Sequence, residues 1–310
     1  MSRLLLHHYP RSPFAEKART ILGFKGLQWT SVFIPPIMPK PDVIALTGGY
    51  RKTPLLQIGA DIYCDTALIA DVLERLAPTP TLYPVESAGL ARTQAQWADS
   101  ALFWAAIPYT FQPASLKTMF EGLPPEQAKA FLADRAAFRA NVPPVAVPEA
   151  TGAMRLYLEQ LEAQLGDGRH WLLGASTSIA DFSVYHPLWF IRRAGAVASI
   201  LDSHPRLMAW MERMQEIGHG TYDKMESGEA VALAAASKPQ PTDGEAFLDL
   251  HGLSRGARVT VAPTDYGLDP VEGELVLSRP NEVAVRRVDA RAGEVVVHFP
   301  RLGFQVRKVE

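Results

Sequence analysis

Two strand-to-helix junctions within the first 66 residues constrain this chain more than any other feature. The apolar run Leu4-Leu5-Leu6 reads as a buried strand. It leads into Tyr9-Pro10-Arg11-Ser12-Pro13-Phe14-Ala15-Glu16-Lys17, which opens a helix with Phe14, Ala18, Ile21 and Leu22 on one face. Ser12 falls at the N-cap. Its hydroxyl can accept from a free N–H of the first turn, and Pro13 suits the first helical position, where no N–H is needed.

Capping is a sufficient role for Ser12, yet the same geometry favours an anion. A helix N-terminus carries roughly half a unit of positive charge together with unpaired N–H donors. For a thiol of ordinary pKa about 8.5, a downward shift of about two units corresponds to about 2.7 kcal/mol of preferential anion binding. One hydroxyl donor plus a helix terminus supplies energy of that order.

Between the two junctions, Lys52-Thr53-Pro54 enters a short strand, Leu55-Leu56-Gln57-Ile58. An ordinary trans proline at a strand start accounts for Pro54; a cis Thr-Pro bond would instead turn the Thr53 backbone outward, toward an extended peptide. Gly59-Ala60-Asp61 makes a turn and Ile62-Tyr63-Cys64 returns as the second strand of a hairpin. Asp65-Thr66 then starts a helix bearing Ala67, Leu68, Val72, Leu73 and Leu76. Asp65 is a good cap. This second helix start can also receive a ligand carboxylate at Thr66 while Asp65 takes a ligand ammonium.

This order of pieces resembles the N-terminal domain of cytosolic glutathione S-transferases, and Tyr9 to Lys17 is similar to the omega-class active-site segment, with Ser12 where that class carries its cysteine. Serine at that place is the choice of the zeta and theta classes. The resemblance implies glutathione as co-substrate and no metal. By it, Ser12 is the catalytic hydroxyl at the glutathione sulfur, Thr53 pairs with the cysteinyl backbone, Pro54 is cis, and Asp65 and Thr66 hold the γ-glutamyl group. Lys40 stands where the omega class directs a lysine at the glycyl carboxylate, and Phe14 and Lys52 complete the glutathione-binding set. Asp-Thr in place of Glu-Ser, and a proline-rich loop from Ile34 to Gly49, depart from the pattern. With no thiol at Ser12 or Ala15, glutaredoxin-type dithiol chemistry is not expected here.

The chain has 310 residues, enough for two or three domains. Its 31 Lys and Arg nearly balance 33 Asp and Glu, so neither nucleic acid nor an acidic membrane is the expected partner. The single cysteine, Cys64, excludes an internal disulfide framework and suits a small buried residue in a reducing compartment. Its place beside Asp65 leaves open a mixed disulfide with glutathione. Three leucines after Arg3 are too few for a signal peptide, and there is no apolar run of about 18 residues, so a cytoplasmic protein is expected. His7 and His8, adjacent on a strand, point to opposite faces and cannot chelate one ion together.

The segment Pro78 to Pro84 breaks both periodicities and reads as an interdomain linker. Helical spacing follows from Leu90 to Ala106, over residues 124 to 140, and from Met154 to Leu165. Apolar stripes of this kind usually mean core. In the resembled family the first of these helices also walls the pocket for the second substrate, which implies Phe103, Trp104 and Tyr109 as wall residues. Ser178-Ile179-Ala180-Asp181 is a capping pattern that makes Asp181 structural, and Ser203-His204-Pro205 starts a last helix. The resemblance covers residues 3 to 217.

Beyond a linker at Ser237 to Gly244 the period changes to two. Four or five short strands rich in Val, spaced about 10 residues apart, suggest a small antiparallel barrel or sheet packed on the body or on a partner subunit. Its arginines are interleaved with Asp and Glu, as on a solvated surface.

The expected architecture is therefore α+β: a thioredoxin-like domain over residues 1–77, an all-α helical bundle over 89–236, and a small antiparallel β domain over 245–310. The expected function is a glutathione transferase that ionises the glutathione thiol and conjugates it to a small electrophile, or uses it to transform one, as in detoxification. The alternative is a non-catalytic binding or assembly protein on the same scaffold, favoured by the added β segment. Redox work through Cys64 is a third possibility. Family resemblance further implies a homodimer.

Overall fold

The computed structural model describes residues 3–242, 244, 246–250 and 252–309. The outer limits 1, 245 and 310 of the expected domains, and Asp243 of the expected linker, lie outside the described residues.

The N-terminal layer runs β1 (Leu4–His8), α1 (Pro13–Phe24), β2 (Trp29–Phe33), α2 (Pro41–Thr47), β3 (Leu55–Ile58), β4 (Asp61–Cys64) and α3 (Thr66–Leu76). A helical unit follows with α4 (Ala88–Trp97), a π-helical turn (Ala98–Leu102), α5 (Phe103–Thr110), α6 (Pro113–Met119), α7 (Pro125–Phe138), α8 (Val147–Gln164), α9 (Ile179–Arg192) and α10 (Pro205–Ile217). The chain then returns to the sheet through β5 (Tyr222–Met225) and α11 (Ser227–Ala235). It closes with β6 (Arg258–Pro263), β7 (Val271–Ser278), β8 (Glu282–Asp289), β9 (Gly293–Pro300) and β10 (Phe304–Lys308).

The strands form one sheet in the order β10-β6-β7-β8-β9-β4-β3-β1-β2-β5. β1 runs parallel to β2 and antiparallel to β3, and β3 pairs antiparallel with β4, as a thioredoxin-like layer requires. The C-terminal strands are antiparallel among themselves, as their alternation predicts. They form the expected C-terminal β segment, and β9 pairs in parallel with β4 through Asp61↔Val296, Ile62↔Val297 and Tyr63↔His298, which joins that segment to the edge of the N-terminal sheet. An unpaired β4 would leave a row of free N–H and C=O groups, and β9 satisfies them.

Side-chain alternation assigns the two faces. Leu4, Leu6, Leu56 and Tyr63 point into a core shared with α1, α3 and the helical unit, which also takes in Ile179, Phe182, Tyr185 and Trp210. Leu55, Ile62 and Cys64 point the other way, into a core shared with α2, α11 and Val283, Val285, Val295, Val297 and Phe299 of the C-terminal strands. A common apolar core explains why those strands dock on the body, since burying apolar area is the main favourable term. The helical unit ends sooner than residue 236: β5 pairs with β2 and α11 packs on the sheet side, so the segment from Tyr222 to Ala235 belongs to the sheet layer.

Asp181 is structural, as its capping pattern indicates. Its carboxylate accepts from the Leu172 and Ser178 backbone N–H groups and from Trp210 Nε1, each at 2.9 Å. α10 starts within the segment Ser203-His204-Pro205, with His204 at its N-cap and Pro205 at its first position. His7 and His8 are buried with separate partners, Gln57 Oε1 at 2.7 Å and Ser31 Oγ at 2.8 Å. No helix among the described residues is long and apolar enough to cross a membrane.

Candidate active site

Strand register brings the three N-terminal pieces together. His7 lies opposite Leu55 and Leu55 opposite Cys64, so the end of β1, the start of β3 and the end of β4 share one end of the sheet. Ser12, Thr53-Pro54 and Asp65-Thr66 each sit within a few residues of those positions.

Ser12 is buried at the N-cap of α1, where its Oγ accepts from Ala15 N–H at 3.2 Å and its hydroxyl also lies within hydrogen-bonding reach of the Tyr9 phenol. Tyr9 flanks it. Burial raises the Tyr9 phenol pKa, against the opposing pull of Arg135 and the Ser12 hydroxyl. The Thr53–Pro54 bond is cis. Lys40, buried at the start of α2, donates from Nζ to Thr53 Oγ1 at 3.1 Å and to Arg51 O at 3.2 Å. Burial, followed by the charges of Arg135 and Arg51, brings its pKa down to about 7.

Asp65 caps α3, accepting from Ala67 N–H at 2.9 Å, and it is the only non-glycine with positive φ (73°) among the described residues. That conformation costs a side-chain-bearing residue of order 1–3 kcal/mol and is typical of functional sites. Burial raises the Asp65 pKa; the Ala67 N–H, Lys52 and Lys17 counter it in part. Beneath Thr66 lies a network absent from the sequence reading. Lys17 Nζ, wholly buried, contacts Asp99 Oδ2 at 2.5 Å and Thr66 Oγ1 at 3.3 Å, and Asp99 Oδ1 lies 3.0 Å from His186 Nε2. Asp99 sits in the π-helical turn, a local irregularity frequent at functional sites and without a sequence pattern to announce it.

Of the expected second-substrate wall, Phe103 and Trp104 stand next to Phe14 of α1. Phe14 meets Phe103 at a centroid distance of 4.6 Å, and Phe103 meets Trp104 at 5.3 Å. Tyr109 does not join them. It is buried in the helical core with its hydroxyl donating to Val197 O at 2.9 Å, because six residues along a helix turn it roughly 240° from Phe103.

Residues next to Thr53 reach parts of the chain that the sequence reading did not connect to it. Arg51 pairs with Asp134 of α7 through two contacts of 3.2 Å and lies 4.2 Å from the Phe138 ring centroid. Lys52 turns to the loop between β6 and β7, reaching Asp265 Oδ1 at 2.6 Å and lying 3.9 Å from the Tyr266 ring centroid. A cavity of about 680 Å³ elsewhere, bordered by Trp29, Tyr63, Arg75 and His298, contains none of the expected site residues.

Cys64 is fully buried. Burial, with a smaller push from Asp65, drives its thiol pKa well above the ordinary value. That environment suits an inert structural cysteine.

Comparison with known proteins supplies the family. The family "Glutathione S-transferase, N-terminal domain" matches residues 6–81 and "Glutathione S-transferase, C-terminal domain" matches residues 144–213. A solved GST-like protein from Pseudomonas syringae is 45% identical, with full coverage of both chains and a TM-score of 0.81. A glutathione S-transferase from Rhodospirillum rubrum F11 shares the fold at 20% identity, covering 68% of this chain and 87% of its own, with a TM-score of 0.53. The Arabidopsis thaliana protein "Glutathione S-transferase TCHQD" is 29% identical over 108 residues, a match spanning 34% of this chain and 40% of that protein's length. With two family matches in order along the chain and a full-length relative at 45% identity, the chain belongs to the glutathione S-transferase family.

Proposed function

We propose that the chain is a glutathione transferase that binds glutathione in this cleft, stabilises its thiolate and conjugates it to, or uses it to transform, a small electrophile. The observation that carries this reading is the Ser12 hydroxyl, which caps α1 by accepting from Ala15 N–H and so stands at the positive end of the helix, where a bound thiolate would take its proton in place of the Tyr9 phenol. Glutathione, when bound, supplies the thiol nucleophile. Ser12 donates to the sulfur and lowers the thiol pKa, so that no separate base is required. Thr53 pairs with the peptide backbone beside cis Pro54, Lys40 and Lys52 face the glycyl carboxylate, and Asp65 with Thr66 takes the γ-glutamyl ammonium and carboxylate. Phe14 packs beside the sulfur, while Phe103 and Trp104 receive the electrophile.

The donor set favours this ligand: two buried or half-buried lysines, one carboxylate and one helix terminus complement a peptide with two carboxylates and one ammonium. The alternative of a non-catalytic assembly protein rested on the added β strands. These share a core with the N-terminal layer and contact Lys52, which removes the reason to treat them as a separate partner-binding unit. A homodimer and a cytoplasmic setting accompany the proposal, the first open to light scattering and the second to fractionation.

Calorimetric titration of glutathione into wild type and Ser12→Ala, with the thiolate absorbance recorded across pH, tests the reading. The bound thiol is expected to ionise below the free value and to shift upward by about one to two units in Ser12→Ala. Absence of binding at millimolar glutathione would overturn it.

A further inference from the structure

Aromatic rings form a continuous row from the catalytic end of α1 to the C-terminal strands. Phe14 touches Phe103, Phe103 touches Trp104, and Trp104 meets Tyr266 edge-on at 5.1 Å with planes 89° apart. Tyr266 then meets Phe138 of α7 at 5.1 Å and 80°. One residue of the β6–β7 loop thus touches Lys52, assigned to glutathione, and Trp104, assigned to the electrophile.

The loop is anchored on both sides of Tyr266. Asp265 holds Lys52 through its carboxylate and Asn141 Nδ2 through its backbone oxygen, and Gly267 N–H donates to Phe138 O at 3.2 Å. Gly267 has φ +59°, and a Cβ there would meet the Phe138 ring at 2.2 Å, so the close approach requires glycine. The half-buried Tyr266 ring is pinned this way, while its hydroxyl makes no hydrogen bond to protein among the described residues. Burial, then the charges of Asp265, Asp65 and Tyr9, raise the phenol pKa, which keeps it protonated as a donor.

Building on the proposed transferase reading, we infer that Tyr266 is a specificity-determining contact for the second substrate, which the C-terminal strands exist in part to deliver. The ring row selects a flat aromatic electrophile, and the Tyr266 hydroxyl donates to an oxygen acceptor on it, such as a nitro or carbonyl group.

Binding rather than turnover tests this, using glutathione and S-(2,4-dinitrophenyl)glutathione, whose aryl group extends into the second half of the cleft, with the full-length chain. In Tyr266→Phe, which keeps the ring, glutathione affinity is expected to stay within about twofold while conjugate affinity falls about fivefold, the size of one hydrogen bond. Tyr266→Ala is expected to lose about tenfold or more for the conjugate alone, as ring contact goes too. Equal loss for both ligands, or none for the conjugate in either variant, overturns the inference. So does a wild type that binds glutathione but not the conjugate. A wild type that binds neither ligand overturns the transferase reading itself, and with it the role of Tyr266.

Discussion

His298 Nε2 lies 3.1 Å from Asp61 Oδ1, joining a ring carried by β9 to the carboxylate that opens β4. Its Nδ1 lies 2.8 Å from Glu282 Oε1 on β8, and all three side chains are buried. Burial alone would lower the imidazole pKa, but hydrogen bonds and charges from the two carboxylates outweigh it, and the net shift is upward. The proton on His298 therefore helps fasten the C-terminal strands to the thioredoxin-like sheet. Stability from it is complete below the unfolded imidazole pKa, about 6.5, and drains away as pH rises through the elevated folded value. Denaturant unfolding from pH 5 to 9 is expected to show that decline in wild type. His298→Gln is expected to be about 3 kcal/mol less stable at pH 6, because it leaves buried Asp61 without its cation and Glu282 with only the longer contacts to Arg75 and Arg279, and to close part of the gap at pH 9.

The buried Cys64 thiol gives a sharper check on the redox possibility. A thiol-reactive disulfide reagent is expected to leave the folded protein unmodified and to titrate one thiol in denaturant. Cys64→Ala is expected to bind glutathione as wild type does, at a stability loss of about 1 kcal/mol for the small cavity. Stoichiometric labelling of the folded chain would restore the redox reading.

The residues that were legible in the sequence are those with local rules. Ser12-Pro13 and Asp65 announce helix starts, and valine-rich runs between turns announce the C-terminal strands. The attachment of those strands was not legible, because a strand with both faces apolar pairs equally well with any free edge and nothing local names β4 as the one. Tyr109 misled because an apolar stripe identifies a helix but not which aromatic turns toward a cleft. Asp99 and Tyr266 were missed for a related reason. One depends on a π-helical turn, the other on a loop some 160 residues further along the chain that tertiary packing returns to the site.

The contact between Lys17 and Asp99 is expected to matter more to stability than its single ion pair implies. Lys17 is wholly buried, and without Asp99 its remaining partner is Thr66 Oγ1. Asp99→Ala is expected to cost about 3 kcal/mol, whereas Asp99→Ala combined with Lys17→Met recovers most of it, since the uncompensated charge goes as well. Additive losses in that cycle, measured by urea unfolding, would show that the two residues act separately.

Lys40 provides a pH signature for glutathione binding that is separable from thiol ionisation. Its pKa of about 7 means that near neutrality the ammonium proposed to receive the glycyl carboxylate is partly discharged. A carboxylate binds the protonated form, so affinity is expected to hold steady below about pH 7 and to fall above it. S-methylglutathione, which has no thiol to ionise, isolates this effect in a titration from pH 6 to 8.5. Lys40→Met is expected to bind it about tenfold more weakly at pH 6 and with a flat profile, the loss matching one charge-assisted hydrogen bond. Lys40→Arg, charged throughout, is expected to flatten the profile without that loss. A wild-type profile already flat over this range would place the glycyl carboxylate elsewhere and leave Lys40 as a support for Thr53 alone, through the 3.1 Å bond it makes to that hydroxyl.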